Sequence, residues 1–400
     1  MNDLSRRDMV KRIAGLGACL TLSRPTSGLA QGDPVLAGRP LVRYPEKTDL
    51  ILLTSRPPQL ETPMKYFDRA ITPNEAFFVR YHVFPIPTTV DLAQWRLAVG
   101  GHVDRPLALS MSDLRQFPKA SVTAVGQCSG NSRGRFAPRV LGGQWGDGAM
   151  GNAAWVGARL RDILTMAGVR SGAVQITFNG LDQPAFPSVP DFVKSLDVER
   201  IMDDPEILVA YQMNGAPLPM LNGFPARLVV PGWYGDYWVK NLSEIAVIDH
   251  VLDNFWTKSA YRIPDTPCGC VAPGTTPGRT VPINRMNVRS FITAPQQGAR
   301  MPIGQPVPLK GIAFDGGDGI QEVQVSDDGG SAWHRAQLGT DLGRYAFREW
   351  SAAWTPRQAG DYRLLVRAFN RIGESQGYEP LWNPSGYLRN VIEAITVQAS

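Results

Sequence analysis

A run of 22 residues, "RIPDTPCGCVAPGTTPGRTVPI" from Arg262 to Ile283, carries five prolines and no apolar periodicity. Proline lacks an amide hydrogen and fixes φ, so neither a long helix nor a central strand passes through such a run. The chain must therefore break here. The two sides also differ in pattern. Before the break, short strands and short helices mingle without a strand–helix–strand rhythm, which points to α+β. After it, alternating strands are spaced by Gly/Asp turns about every ten residues, the rhythm of a β-sandwich. "IQEVQVSDDGGSAW" reads as strand, tight turn, strand, and "GDYRLLVRAFN" alternates along its length. With 40 Gly and 33 Pro in 400 residues, turns are expected throughout.

Within the first half, "FFVRY" (Phe77–Tyr81) and "WRLAVGGHV" read as strands, as do "AVQITFNG" and "ARLVVPG". "ARLRDILTMAG" places Leu160, Ile163, Leu164 and Ala167 on one helical face, with Gly168 as the stop. A short helix is expected over 112–117, capped by Ser110 or Ser112, and another in "SLDVERIM", capped by Ser195.

The first 30 residues read as a leader rather than as fold. Arg6 and Arg7 sit in a basic start, an apolar stretch runs from Ile13 to Leu22, and cleavage is expected after Ala30. The twin arginines mark an export route that carries folded, cofactor-loaded proteins, so the mature chain is expected in a periplasm. The apolar stretch is too short to span a membrane. The leader holds five basic and two acidic residues, so its loss takes the net charge from +5 to +2. A near-neutral mature protein without basic–aromatic runs gives no reason to expect nucleic-acid binding. The expected units are thus a leader over 1–30, an α+β domain over 31–265, a linker over 266–282 and an immunoglobulin-like sandwich over 283–400.

Three cysteines remain after the leader: Cys128, Cys268 and Cys270. Cys268-Gly-Cys270 is expected to be too tight for an easy disulfide. Cys128 stands alone in "TAVGQCSGNSRGRF", a polar loop entered from the strand-like "ASVTAV" and followed by Arg133, Arg135 and Arg139. Nearby positive charge favours thiolate. From its surroundings alone, Cys128 is a packed thiol, a nucleophile or a ligand for a soft or high-valent metal. No HExxH, GxxxxGK[ST], GxSxG or CxxCH motif occurs, which leaves no attached c-type haem in this chain. Four histidines give little support for a multi-histidine metal site.

Taken together, "FFVRYH", "GQCSGNSRG", "GNAAWVGARLRDIL" and "AYQMNGAPLPMLNGFPARLVVPGWYGDYWVKNL" resemble the sulfite oxidase family in order and spacing, and "EVQVSDDGGSAW" and "LWNPSGYLRN" resemble its C-terminal dimerisation domain. The resemblance implies an α+β molybdopterin-binding domain and a molybdenum–molybdopterin cofactor with Cys128 as the protein ligand to the metal. It implies that Arg80 and Arg133 receive a small oxyanion and that Tyr261 hydrogen-bonds near the reacting atoms. It assigns Arg227 and Lys240 to the phosphate side of the pterin, and His82, Asp182 and Asn222 to further pterin contacts. Tyr234, Trp233 and Trp238 are read as packing. Two positions depart from vertebrate members: Asn222 stands for a histidine and Val125 for a tryptophan. The implied activity is oxidation of sulfite to sulfate, with electrons passed to a separate c-type cytochrome and a homodimer formed through the sandwich. A sulfane dehydrogenase subunit of a thiosulfate-oxidising complex is the competing reading within the cofactor class; a methionine-sulfoxide reductase and a non-catalytic binding protein are the others.

Overall fold

The computed structural model describes residues 24–29 and 34–400. The twin arginines, the apolar leader stretch and Ala30 lie outside the described residues. Arg24–Leu29, assigned above to the leader, runs as a strand antiparallel to Pro40–Arg43. It stands at the edge of a five-stranded N-terminal sheet that continues through Asp49–Ser55 and Pro58–Glu61 to Val79–Arg80.

Two further sheets make the rest of the first unit. In one, Lys119–Gln127 pairs antiparallel with Met150–Arg159, which pairs with Leu208–Met213. In the other, Leu242–Ile248 lies parallel to Leu97–Gly101 and antiparallel to Gln175–Gly180. Helices are few and short, as the glycine and proline content requires. Leu160–Ala167 buries the four residues expected to form its inner face, and Gly168 closes it at φ 72°. Ser110 caps Met111–Leu114 in a reciprocal box with Asp113.

Three local expectations are corrected. The helix in "SLDVERIM" is Val198–Asp203, with Asp197 at its N-cap. Ser195 lies instead in the strand Lys194–Asp197, opposite Thr177, because sheet pairing overrides its capping tendency. Of "FFVRY", only Val79–Arg80 pairs as strand; Phe77 and Phe78 turn inward to pack. Cys268 and Cys270 form a disulfide. Gly269 at φ 60° folds the chain back so that the two Cα atoms stand 5.1 Å apart, inside the spacing a bridge accepts.

The proline run is not a free linker. Its two ends, Arg262–Pro264 and Thr280–Pro282, pair antiparallel, and Arg262 Nε donates to Thr280 Oγ1 at 2.8 Å. Three-residue strands that each end in proline leave no alternation to read. Beyond it, two sheets face each other as a sandwich: Arg289–Ala294, Val307–Phe314, Arg348–Trp354 and Gln337–Leu338 form one, and a five-stranded sheet centred on Gly360–Asn370 forms the other. Val323, Trp350, Leu364, Val366 and Val397 fill the space between. The large core of the first unit also takes in Ile283, Met286, Phe291, Phe314 and Phe347, so the sandwich packs directly on it.

Candidate active site

Strand ends aim the site. Lys119–Gln127 runs buried to Gln127 and releases the chain at Cys128, whose amide is held by the Ala149 carbonyl at 2.9 Å. The Cys128 carbonyl accepts from the Asn131 amide at 2.9 Å, so the loop turns back at once. Ser132, at φ 65°, continues the turn. The thiol is a free cysteine buried beside Trp145 and Ala149. Val79–Arg80 brings Arg80 and then His82 to the same place. "PGWYGDYWVK" crosses opposite, with the Gly235 amide donating to the Gln127 carbonyl at 2.7 Å.

These segments line a cavity of about 30 Å³. Seven of the nine residues singled out in the sequence line it: Arg80, His82, Cys128, Asn222, Arg227, Lys240 and Tyr261. Asp182 is buried behind Lys240; burial raises its carboxyl pKa and the Lys240 charge opposes that rise. Arg133 is placed elsewhere. It is not among the lining residues; its guanidinium lies over the Tyr387 ring at 4.8 Å and its Nε donates to the Ser385 carbonyl at 2.9 Å. Of the two arginines to which the resemblance gives an oxyanion role, Arg80 lines the cavity and Arg133 does not. Packing explains the difference: Gly130 has no side chain where the Arg133 guanidinium tucks in, and the sandwich loop offers it a carbonyl and an aromatic face.

On the side of Asn222 the cavity is rich in buried cations. Arg227 donates to the Asn222 and Trp238 carbonyls at 2.9 and 3.1 Å and lies over the Trp155 ring. Lys240 donates to the Arg80 carbonyl at 2.5 Å. Lys47, which no motif marks, donates to the Asn74 and Phe77 carbonyls and to Asn222 Oδ1. Burial pulls Lys47 and Lys240 down to about 7, and Arg227 to about 10. Among the described residues, none of the three has a carboxylate at ion-pair distance, and Arg227 Nε has no hydrogen-bond partner. Uncompensated buried charge is costly. The set fits an anionic tail, such as a pterin phosphate, and the Cys128 thiol at the other end fits a soft metal ligand.

The lysines make a testable pH signature in cofactor-free protein. Between pH 7 and about 10.5 the unfolded lysines hold protons that the buried ones have lost. Unfolding then takes up protons, so stability rises with pH through that window and is lost as pH falls towards 7. Thermal melts of cofactor-free Lys47→Met will show a flatter rise of Tm over this window than the parent. An identical slope would contradict the burial of an uncompensated charge at Lys47.

At the Cys128 end, the Tyr261 hydroxyl and His82 Nε2 hydrogen-bond each other. Burial, reinforced by Arg80, Lys240 and Lys194, holds the His82 pKa well below its usual value, so its ring is neutral. Burial lifts the Tyr261 hydroxyl well above its ordinary pKa, so it keeps its proton. The His82 ring stacks on Phe192 at 3.5 Å, and Trp256 stands edge-on to both. Tyr261 lies parallel to Tyr387 at 5.5 Å. Sequence reasoning missed Asp236, which lies in the quoted "PGWYGDYWVK", and Lys194, which carries no motif; both are buried at the site.

Comparison with known proteins finds similarity over most of the chain. Residues 83–256 match the oxidoreductase molybdopterin binding domain and residues 280–400 the Mo-co oxidoreductase dimerisation domain. Chicken (Gallus gallus) sulfite oxidase is 37% identical over 374 residues, covering 89% of this chain and 78% of that protein. Mouse (Mus musculus) mitochondrial sulfite oxidase is 34% identical, covering 89% of this chain and 66% of its own length, so the chain spans about two thirds of that relative. Among solved structures, the sulfane dehydrogenase SoxCD from Paracoccus pantotrophus superposes with a TM-score of 0.72 at 25% identity, covering 96% of this chain and 89% of that one.

Proposed function

This chain belongs to the sulfite oxidase family of molybdopterin oxidoreductases, and we propose that it oxidises sulfite to sulfate and passes the electrons to a separate c-type cytochrome in the periplasm. The observation that carries this reading is the pairing, in one cavity, of a buried unpaired thiol with a guanidinium and an excess of buried cations. The twin arginines support the periplasmic setting. Cys128 would hold the molybdenum; Arg227, Lys240 and Asn222 would hold the phosphate side of the pterin, with His82 and Asp182 further along it. When bound, the cofactor supplies oxygen-atom transfer and accepts two electrons.

The chain's own residues do the rest. Arg80 spends one of five guanidinium donors on the Tyr81 carbonyl and has others for an oxyanion. Tyr261, protonated at working pH, is a hydrogen-bond donor whose direction is set by neutral His82. The Phe192–His82–Trp256 stack closes one wall and keeps water from screening the charges.

Sulfite-dependent reduction of cytochrome c by the purified protein tests the reading directly. Arg80→Gln should raise the sulfite KM by about tenfold or more with a smaller loss of kcat, since it removes ground-state anion binding first. Unchanged KM and kcat would count against Arg80 as the anion receiver. The likeness to SoxCD favours a second reading, oxidation of sulfane sulfur carried by a partner of a thiosulfate-oxidising complex. Failure to oxidise free sulfite by molybdenum-loaded protein would favour it.

A further inference from the structure

Asp236 is the single carboxylate among the described residues that line the cavity. Its side chain is 1% exposed, and it lines the same cavity as Arg80, Arg227 and Lys240. Lys194 Nζ approaches one carboxylate oxygen to 3.2 Å, close enough to pair charges. The donors to Asp236 are the Lys194 ammonium and the neighbouring backbone, and no other side chain donates to it. Lys194 is itself fixed: it donates to the Trp256 carbonyl at 3.2 Å and lies over the rings of Tyr237 and Tyr261 at 4.5 and 5.1 Å. The pair thus has its positive end packed against the Tyr261 ring and its negative end at the cavity wall.

A site built only to attract oxyanions has no use for a buried carboxylate, whose placement is costly. A fixed negative charge does discriminate among anions. It repels a dianion twice as strongly as a monoanion, and the low-dielectric wall preserves the difference. It also accepts a hydrogen bond from an anion that still carries a proton.

We infer that Asp236, held by Lys194, is a specificity-determining residue that favours singly charged over doubly charged tetrahedral anions, admitting hydrogensulfite and expelling sulfate. This rests on the proposed sulfite reading of the cavity. It addresses a problem that reading creates, since the cations that capture the substrate would otherwise retain the more highly charged product. Burial raises the Asp236 pKa to about 6, against the pull of Lys194, so at pH 8 the carboxylate is charged.

The test compares two tetrahedral sulfur anions of different charge, sulfate and methanesulfonate, by calorimetric titration of molybdenum-loaded protein at pH 8 and constant ionic strength. In Asp236→Asn, sulfate affinity should rise about tenfold relative to methanesulfonate. Asp236→Glu, which keeps the charge, should retain the parent ratio. Because Asp236→Asn leaves Lys194 buried without its partner, the double variant Lys194→Met/Asp236→Asn provides a neutral pair. It should shift the ratio in the same direction, by about threefold. A ratio within twofold of the parent in both neutral variants, or a shift against sulfate, overturns the inference. Binding of neither anion by the parent overturns the oxyanion reading of the cavity along with it. Binding of both with an unaltered ratio overturns the Asp236 assignment alone.

Discussion

Cys128→Ser will lower sulfite turnover by at least about a thousandfold while the pterin stays bound. The substitution replaces a soft thiolate by a hard hydroxyl of nearly the same shape, at a buried point where the loop is held by its backbone rather than by the sulfur. Ligand type, not packing, is therefore what changes. The pterin's expected holdfasts, Arg227 and Lys240, come from other segments of the chain and are untouched. Cytochrome c reduction, metal analysis and pterin fluorescence on one preparation separate the three quantities. Substantial turnover in this variant would remove Cys128 from the metal.

Arg227→Met will act in opposite directions on the two forms of the protein. In loaded protein it removes a cation from the expected phosphate side, and retained pterin should fall about tenfold or more after gel filtration. In cofactor-free protein it removes a buried charge that has only carbonyls and two aromatic faces for company, and Tm should rise. Methionine keeps the apolar volume between Trp155 and Trp238. A variant that loses stability in both forms would show that Arg227 serves packing rather than an absent anion.

Local signals made much of the fold legible. The 3.6-residue spacing of Leu160, Ile163, Leu164 and Ala167 and the glycine after them gave one helix with its stop, because both signals are short-range. The alternation in Gly360–Asn370 gave the central strand of the sandwich for the same reason. What stayed hidden depends on partners distant in sequence. Ser195 has the chemistry of a cap, but Gln175–Gly180 claims it for a sheet. The pairing of Arg262–Pro264 with Thr280–Pro282 is too short to leave a pattern. At the site, motifs pointed to residues that touch the cavity, yet Lys47 and Lys194 carry no motif, and Asp236, though inside one, gains meaning only by being buried next to Lys194. Arg133 shows the converse, since its place near Cys128 in sequence says nothing of the Ser385 carbonyl and Tyr387 ring that claim it.

That last arrangement ties the two halves of the molecule more closely than their separate family matches imply. Arg133, five residues from the thiol, is anchored in a loop of the sandwich, and Tyr387 of that loop backs Tyr261. Arg289 of the sandwich reaches the Ser132 hydroxyl at 2.9 Å. Cutting the chain before residue 283 would therefore strip the thiol-bearing loop of its outer buttress. Inheritance of the two halves is constrained in the same way: grafting a different sandwich onto this front half would retune the chemistry even with every cavity-lining side chain left in place.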